Sequence, residues 1–135
     1  MLMSRRKLEE CGLEPLSRVS SIGWAAIDPS IMGAAIVPAV SKALSRAGIG
    51  AKDVDLWEIN EAFSVVVLNA VKELGIEVES VNVRGGAVSL GHPLGASGTR
   101  IAGTLSRMLG SGIGEVGVAS LCVGGGQGYA VVFER

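Results

Sequence analysis

His92 is the only histidine of the chain, and it lies in a glycine-rich stretch, residues 84–98 (RGGAVSLGHPLGASG), just before an apolar helical pattern. Pro93 disfavours a helical conformation at His92, so the imidazole is predicted at the mouth of the helix that follows. An imidazole can take a proton from a nucleophile or donate one to an oxyanion near neutral pH. The simpler interpretation is a loop or helix-capping histidine with a structural hydrogen bond.

Asn60 and Cys122 are two further residues with chemical potential, and each stands where a predicted strand ends. Asn60 opens the segment NEAF, and Cys122 opens the glycine-rich segment CVGGGQG. Taken singly, Asn60 is interpreted as a helix N-cap and Cys122 as a buried thiol at a strand end. The other cysteine, Cys11, is predicted to be a semi-buried side chain in the last turn of a short helix. The two cysteines have neither metal-ligand spacing nor the arrangement of a disulfide framework.

Five predicted strands and their intervening helices must position these residues. β-formers and turn residues predict strands at residues 16–27, 54–59, 81–83, 115–122 and 128–133. Helical spacing of apolar residues predicts helices at 4–11, 33–47 and 62–74, and another from residue 94 onward. The helix at 62–74 is apolar almost all round, which predicts that it is covered on both sides.

The order βαβαβαββ is typical of an α/β domain. It predicts a mostly parallel, five-stranded mixed sheet that ends in a hairpin, with helices on both faces. In such sheets, binding and catalytic sites form where strands pass into loops at their carboxyl ends. Asn60, His92 and Cys122 all lie in such connections. Their coincidence in three separate connections favours a functional site over three unrelated structural roles.

Composition and charge exclude several classes of function. The formal net charge is −1 with no basic block, so neither nucleic-acid nor membrane-surface binding is predicted. The apolar run at residues 1–3 is too short for a signal peptide, and no later run is long enough to span a bilayer. A reducing, cytoplasmic location is therefore the expectation. The length and apolar content suit one domain with a sizeable core.

Three motifs, in the same order, resemble the signatures of the thiolase C-terminal domain: residues 60–63, 85–98 and 122–128. The segment at 28–33 (DPSIMG) is also similar to that family. The resemblance implies a thiolase-like fold and acyl transfer between coenzyme A thioesters, making or cleaving a 3-ketoacyl-CoA in lipid metabolism. Coenzyme A and acyl-CoA would be substrates, with no covalently bound cofactor and no metal.

The resemblance also implies a role for each site residue. Cys122 would exchange a proton with the α-carbon of acetyl-CoA, and a modest lowering of its pKa from about 8.5 would let it act as a base. His92 would assist the nucleophilic cysteine and, with a water held by Asn60, form one oxyanion hole. The N–H of Gly124 would contribute to a second oxyanion hole. The same resemblance implies that Met32, Ala62 and Phe63 bind the substrate.

The family pattern implies a complementary N-terminal half that bears the nucleophilic cysteine. Residues 1–16 are expected to be the remnant of the connection to that half, with a short helix, and residues 17–135 to be the C-terminal domain. The expected partner is such an N-terminal half or another copy of the chain in a homo-oligomer, and the chain by itself is expected to be inactive. Two departures from the pattern bear on the site: Ala35 and Ile36 replace a glycine and a proline, and Arg84 replaces a smaller polar residue.

Two classes of function remain open. The first is the catalytic C-terminal half of a thiolase. The second is a noncatalytic binding or regulatory subunit, or an inactive fragment, that keeps the fold. A phosphate-binding module is disfavoured because the glycine loops match neither the P-loop nor the dinucleotide-binding pattern. The joint presence of Asn60, His92 and Cys122 favours catalysis.

Overall fold

The computed structural model describes all 135 residues and contains five helices and four strands. The helices are α1 (Arg5–Cys11), α2 (Ile36–Ala47), α3 (Ser64–Leu74), α4 (Ala87–Leu90) and α5 (Ser97–Gly110). The strands are β1 (Arg18–Ala26), β2 (Leu56–Ile59), β3 (Val116–Val123) and β4 (Gln127–Glu134). Short 3₁₀ turns occupy Pro29–Ala35, Ala51–Asp53 and Val78–Ser80. None of the helices combines the length and the apolar character needed to cross a bilayer.

The strands form one mixed sheet in the order β1-β4-β3-β2. β2 and β3 form the one hydrogen-bonded parallel pair, whereas β4 runs antiparallel to both of its neighbours, β1 and β3. The predicted α/β class and the terminal β3–β4 hairpin are confirmed. β1, β2 and β3 therefore run in the same direction and only β4 opposes them, so the sheet is mostly parallel in strand direction, as predicted. It has four strands and not five, and β4 separates β1 from the parallel pair β3–β2.

The predicted fifth strand at residues 81–83 does not form. Val81 makes a single parallel bridge to Trp57. At the next position the Asn82 N–H still donates to the Trp57 carbonyl, but the pairing with Ile59 is made by the Asn82 side chain: its Oδ1 accepts from the N–H of Ile59 at 2.8 Å and its Nδ2 donates to the Ile59 carbonyl at 2.9 Å. The sheet therefore ends at β2, and the chain turns into the glycine-rich loop.

Helices cover both faces of the sheet, as predicted. On one face α2 and α3 enclose the larger core, which includes Trp57, Val40 and Val132. On the other face α5 packs Leu105 and Met108 against β2 and β3. Close approach of α2 depends on Gly23 of β1, since a Cβ there would lie 2.2 Å from the carbonyl oxygen of Ala39.

Helix α3 has only one covered side within this chain. Its buried residues are Val66 and Ala70, whereas Val65 and Leu68 are exposed. The prediction that this segment is covered on both sides is therefore wrong for the chain alone. Apolar residues all round a helix indicated burial, but no second layer of this chain lies against its outer side.

A second apolar surface lies on the sheet itself. Helix α5 covers β2, β3 and the Phe133 end of β4 but leaves the same face of β1 and the Tyr129 end of β4 open. Three side chains make up this uncovered sheet face: Ile22, Trp24 and Tyr129, all of which are exposed. The Arg46 guanidinium lies 4.7 Å from the centre of the Trp24 ring, a distance typical of a cation–π contact.

Candidate active site

The parallel pair β2–β3 brings two of the three candidate residues to one edge of the sheet. Ile59 lies opposite Ser120, and the N–H of Asn60 donates to the Ser120 carbonyl at 2.9 Å. Cys122 follows two residues later on β3. The loop between α4 and α5 carries His92 back to the same edge. The structure thus groups Asn60 and His92 directly and places Cys122 on the neighbouring strand.

His92 lies between two side-chain partners, one on each ring nitrogen. Nε2 is 3.4 Å from Asn60 Nδ2, and Nδ1 is 2.6 Å from the Oγ of Ser97, the first residue of α5. The Ser97 hydroxyl is fully buried and also lies 3.3 Å from the Pro93 carbonyl oxygen. A serine hydroxyl both donates and accepts. Nδ1 is therefore paired in either tautomer, but only a proton on Nδ1 leaves Nε2 free to accept from the Asn60 amide, which can only donate.

Asn60 is 1% exposed and presents a polar atom with no partner in the chain. Its Nδ2 faces His92, but its Oδ1 makes no hydrogen bond. A buried, unpaired acceptor carries a desolvation cost of about 1–3 kcal/mol. Such a cost is typical of a site where a ligand or solvent molecule supplies the missing donor.

Cys122 does not have the lowered pKa that the sequence-based mechanism required. The thiol is 5% exposed and packs within the larger core. Burial raises the pKa of Cys122 because a thiolate is poorly solvated there, and a backbone hydrogen bond opposes this only in part. The Cys122 thiol is therefore held in its protonated form in this chain. The expected downward shift is wrong for the chain alone.

The remaining predicted site residues differ in how exposed they are. Gly124 lies in the β3–β4 turn, and a Cβ built on it would meet no atom within 4 Å. Met32 and Ala62 are partly buried against the larger core. Phe63 is 64% exposed, so its ring projects into solvent at the start of α3. No cluster of His, Cys, Asp and Glu side chains has the arrangement of a metal site.

The structure adds a buried acid that the sequence analysis did not single out. Glu58 on β2 is 3% exposed, its Oε1 has no hydrogen-bond partner, and it lines a cavity of about 200 Å³ next to Asn60. Burial, assisted by the Glu61 carboxylate, raises the pKa of Glu58 to about 7 despite the opposing charges of Arg100 and Arg84. The alternation of apolar and acidic residues at 54–59 predicted the strand, and such a pattern is typical of a strand with one exposed face. All four residues of β2 are buried, so Glu58 is covered as well.

The free energy of unfolding is expected to fall as pH rises from 4.5 to about 7, because the folded chain retains a proton on Glu58 that the unfolded chain releases. Glu58→Gln should remove this slope and stabilise the chain above pH 7 by up to about 3 kcal/mol. Chemical denaturation at several pH values measures both effects. The exposed Glu79, replaced by glutamine, is the control and should keep the slope. A flat profile in the unmodified chain over this window would contradict the prediction.

Comparison with known proteins assigns the chain to a family. Residues 13–135 match the family model described as "Thiolase, C-terminal domain". The chain belongs to the thiolase family. A 3-ketoacyl-CoA thiolase of Marinobacter nauticus is 49% identical over 138 residues, covering 100% of the chain and 35% of the relative. The cytosolic acetyl-CoA acetyltransferase of Mus musculus is 48% identical over 135 residues, covering 100% of the chain and 34% of the relative.

Solved thiolase structures share the fold closely. Human mitochondrial 3-ketoacyl-CoA thiolase superimposes with a TM-score of 0.94 at 43% identity, covering 98% of this chain and 34% of that one. The same human enzyme has been solved in complex with CoA. This thiolase domain thus spans about a third of the length of the relatives it matches.

Proposed function

We propose that this thiolase domain provides the acid–base part of an acyltransferase site that condenses or cleaves 3-ketoacyl-CoA. The observation that carries the proposal is the contact between Asn60 and His92 at 3.4 Å, at the same sheet edge as Cys122. Each residue has a structural alternative, but structural roles alone do not require Asn60 and His92 to be in contact, or Cys122 to lie at the same edge of the sheet. The names of the relatives supply the substrate class, namely acyl-CoA and CoA.

His92 and Asn60 would act together on the thioester carbonyl. The imidazole would take the proton of a nucleophilic cysteine as its sulfur attacks the carbonyl carbon, and would pass that proton to the CoA sulfur as the bond between the carbonyl carbon and CoA breaks. The Asn60 carboxamide, whose Oδ1 has no partner, would hold a water molecule beside the ring. Hydrogen bonds from that water and from His92 to the enolate oxygen would then stabilise the charge that develops when acetyl-CoA loses an α-proton.

Cys122 would exchange the α-proton of the second acyl-CoA. In condensation its thiolate removes the proton, the resulting carbanion attacks the acyl-enzyme carbonyl, and the nucleophilic cysteine leaves as a thiolate. In cleavage the protonated thiol returns the proton to the leaving acetyl-CoA. Because burial raises the pKa of Cys122, the domain alone favours the proton-donating form. Base function therefore requires groups outside this domain, or the bound substrate, to stabilise the thiolate.

The nucleophilic cysteine would come from a second polypeptide segment. Cys11, the only other cysteine of the chain, is exposed in α1 and belongs to none of the three motifs. We assign residues 1–16 to the connection between the two halves and residues 17–135 to the C-terminal domain. The complementary segment would be an N-terminal thiolase half, since another copy of the chain in a homo-oligomer would bring only Cys11 and Cys122 again.

A noncatalytic binding or regulatory subunit is the alternative function. The protonated, buried thiol of Cys122 is the observation that favours it, because a domain without base function would still keep the fold. The two functions predict different results when the domain is combined with a segment that carries the nucleophilic cysteine. Only the catalytic function requires turnover once a nucleophile is supplied.

The proposal predicts that the chain alone neither cleaves acetoacetyl-CoA nor forms an acyl-enzyme, and that adding an N-terminal thiolase half restores both. The half of a related 3-ketoacyl-CoA thiolase, co-expressed with this chain and purified as a complex, allows the test. Turnover is followed by loss of acetoacetyl-CoA absorbance, and acylation by mass spectrometry of the intact chains. Acetylation of Cys122 in the isolated chain at a rate matching turnover would refute this division of labour. A purified complex without turnover would favour the binding subunit.

A further inference from the structure

Asn82 adopts a conformation that is unusual for a residue with a side chain. Its φ is 49°, and it is the only residue other than glycine in the left-handed region. Asparagine tolerates this region better than most residues, yet the conformation still has an energetic cost. Three hydrogen bonds to β2 hold it: the Asn82 N–H donates to Trp57 O at 2.8 Å, and its carboxamide pairs with both the N–H and the carbonyl of Ile59. Asn82 thereby fixes the backbone just before Asn60.

Glu61 connects that same point to the loop that leads to His92. One carboxylate oxygen accepts from Asn82 Nδ2 at 3.2 Å, and the other accepts from the N–H of Val88 at 2.8 Å. The carboxylate lies against Gly86, where a Cβ would be 2.4 Å from Oε2, so only glycine allows this approach. Val88 is part of α4, the four-residue helix immediately before the His92 loop.

We infer that Glu61 and Asn82 are positioning residues that set the distance between Asn60 and His92. Asn60 is flanked by Ile59, which Asn82 holds, and by Glu61, which holds α4. One continuous network therefore joins both backbones that carry the Asn60–His92 pair. The inference rests on the proposed function for its catalytic meaning, since the pair would form the oxyanion site. Its geometric part can be tested without any turnover.

Each variant exchanges a hydrogen-bond donor for an acceptor, or the reverse, while the size of the side chain stays nearly the same. Glu61→Gln leaves one oxygen to serve two donors, so an amide N–H must face either Val88 or Asn82. Asn82→Asp removes the donor to Glu61 and to the Ile59 carbonyl. In the double variant the new amide can donate to the new carboxylate, so the contact between positions 61 and 82 is restored in part. Glu79→Gln, at an exposed side chain without hydrogen bonds, is the matched control.

NMR of the 135-residue chain reads the geometry directly, because His92 is its only histidine and its ring signals need no further assignment. Each single variant is expected to shift the ring nitrogen signals and to weaken the NOE between the His92 ring and the Asn60 side-chain amide. The double variant should regain part of that NOE. A merely structural role would lower the unfolding temperature but leave the NOE of the folded chain unchanged. Glu79→Gln should change none of these quantities.

Unchanged ring signals and NOE in folded Glu61→Gln and Asn82→Asp chains would overturn the inference, and so would additive losses in the double variant. Should Glu61→Gln unfold, Glu61→Asp keeps the charge but is too short to reach both donors, and the same NOE applies. In the complex with an N-terminal half, each single variant should lower kcat by about 10-fold or more with KM nearly constant. Altered NMR signals in a complex that shows no turnover in any form would refute the proposed function while leaving the positioning role intact.

Discussion

Replacing His92 with alanine is expected to slow acylation of the complemented enzyme by about 10²-fold or more, the scale of one lost oxyanion donor or acid–base group. The substitution removes both ring nitrogens, and with them the contacts to Asn60 Nδ2 at 3.4 Å and to Ser97 Oγ at 2.6 Å. Radiolabelled acetyl-CoA, mixed with the complex and quenched at intervals, gives the rate at which acyl-enzyme accumulates. His92→Gln separates the two roles, because an amide can donate to an oxyanion but cannot accept the proton of a thiol.

Acylation of His92→Ala at the unmodified rate would show that the imidazole plays no part in activating the nucleophile. The fold is not expected to account for a loss, since His92 is only partly buried and its ring belongs to neither core cluster. Circular dichroism of the variant chain checks this. Full activity in His92→Gln would leave oxyanion stabilisation as the only role of the residue.

Cys122→Ser is expected to abolish condensation while leaving acylation of the partner cysteine nearly unchanged. A serine hydroxyl has a pKa far above neutrality, so it cannot remove the α-proton of acetyl-CoA, and a loss of about 10²–10⁴-fold follows for the step that needs a base. The same quenched mixtures measure trapped acyl-enzyme and acetoacetyl-CoA side by side. The variant should therefore accumulate labelled acyl-enzyme without product.

Cys11→Ser is the matched control for this experiment. It makes the same chemical change at an exposed cysteine outside the three motifs, and both steps should proceed at the unmodified rate. Condensation by Cys122→Ser at the unmodified rate would show that another group carries the proton. Loss of both acylation and condensation would indicate that the serine alters the geometry of the site and does not only remove the base.

The sequence predicted those helices and turns that are specified by residues close to them in the chain. Helix α2 begins close to its predicted start with Pro38 in the first turn, and it ends at Gly48, whose φ of 75° suits a glycine cap. The β3–β4 hairpin turns at the predicted glycines. The end-of-strand positions of Asn60 and Cys122 could be predicted in the same way, because Asn60 follows a run of alternating apolar and acidic residues and Cys122 ends a run of mostly apolar ones.

Features that depend on distant parts of the chain could not be predicted in this way. The pairing of β1 with β4 joins residues more than 100 positions apart, and no pattern within β1 specifies that partner. The fifth strand does not form because the backbone of Asn82 is left-handed and its side chain makes the pairing with Ile59 that a strand backbone would make. The raised pKa values of Glu58 and Cys122 follow from burial by several elements together. Burial of that kind is known only once those elements are assembled.

The two tryptophans of the domain report on different parts of it. Trp57 is 1% exposed in the larger core, whereas Trp24 is 54% exposed on the uncovered sheet face beneath the Arg46 guanidinium. An indole in water emits at longer wavelength than one in an apolar environment. Covering that face would shift the emission of Trp24 to shorter wavelength and leave that of Trp57 in place. The native chain therefore carries its own fluorescent probe for any contact made on that side of the sheet, with no label attached.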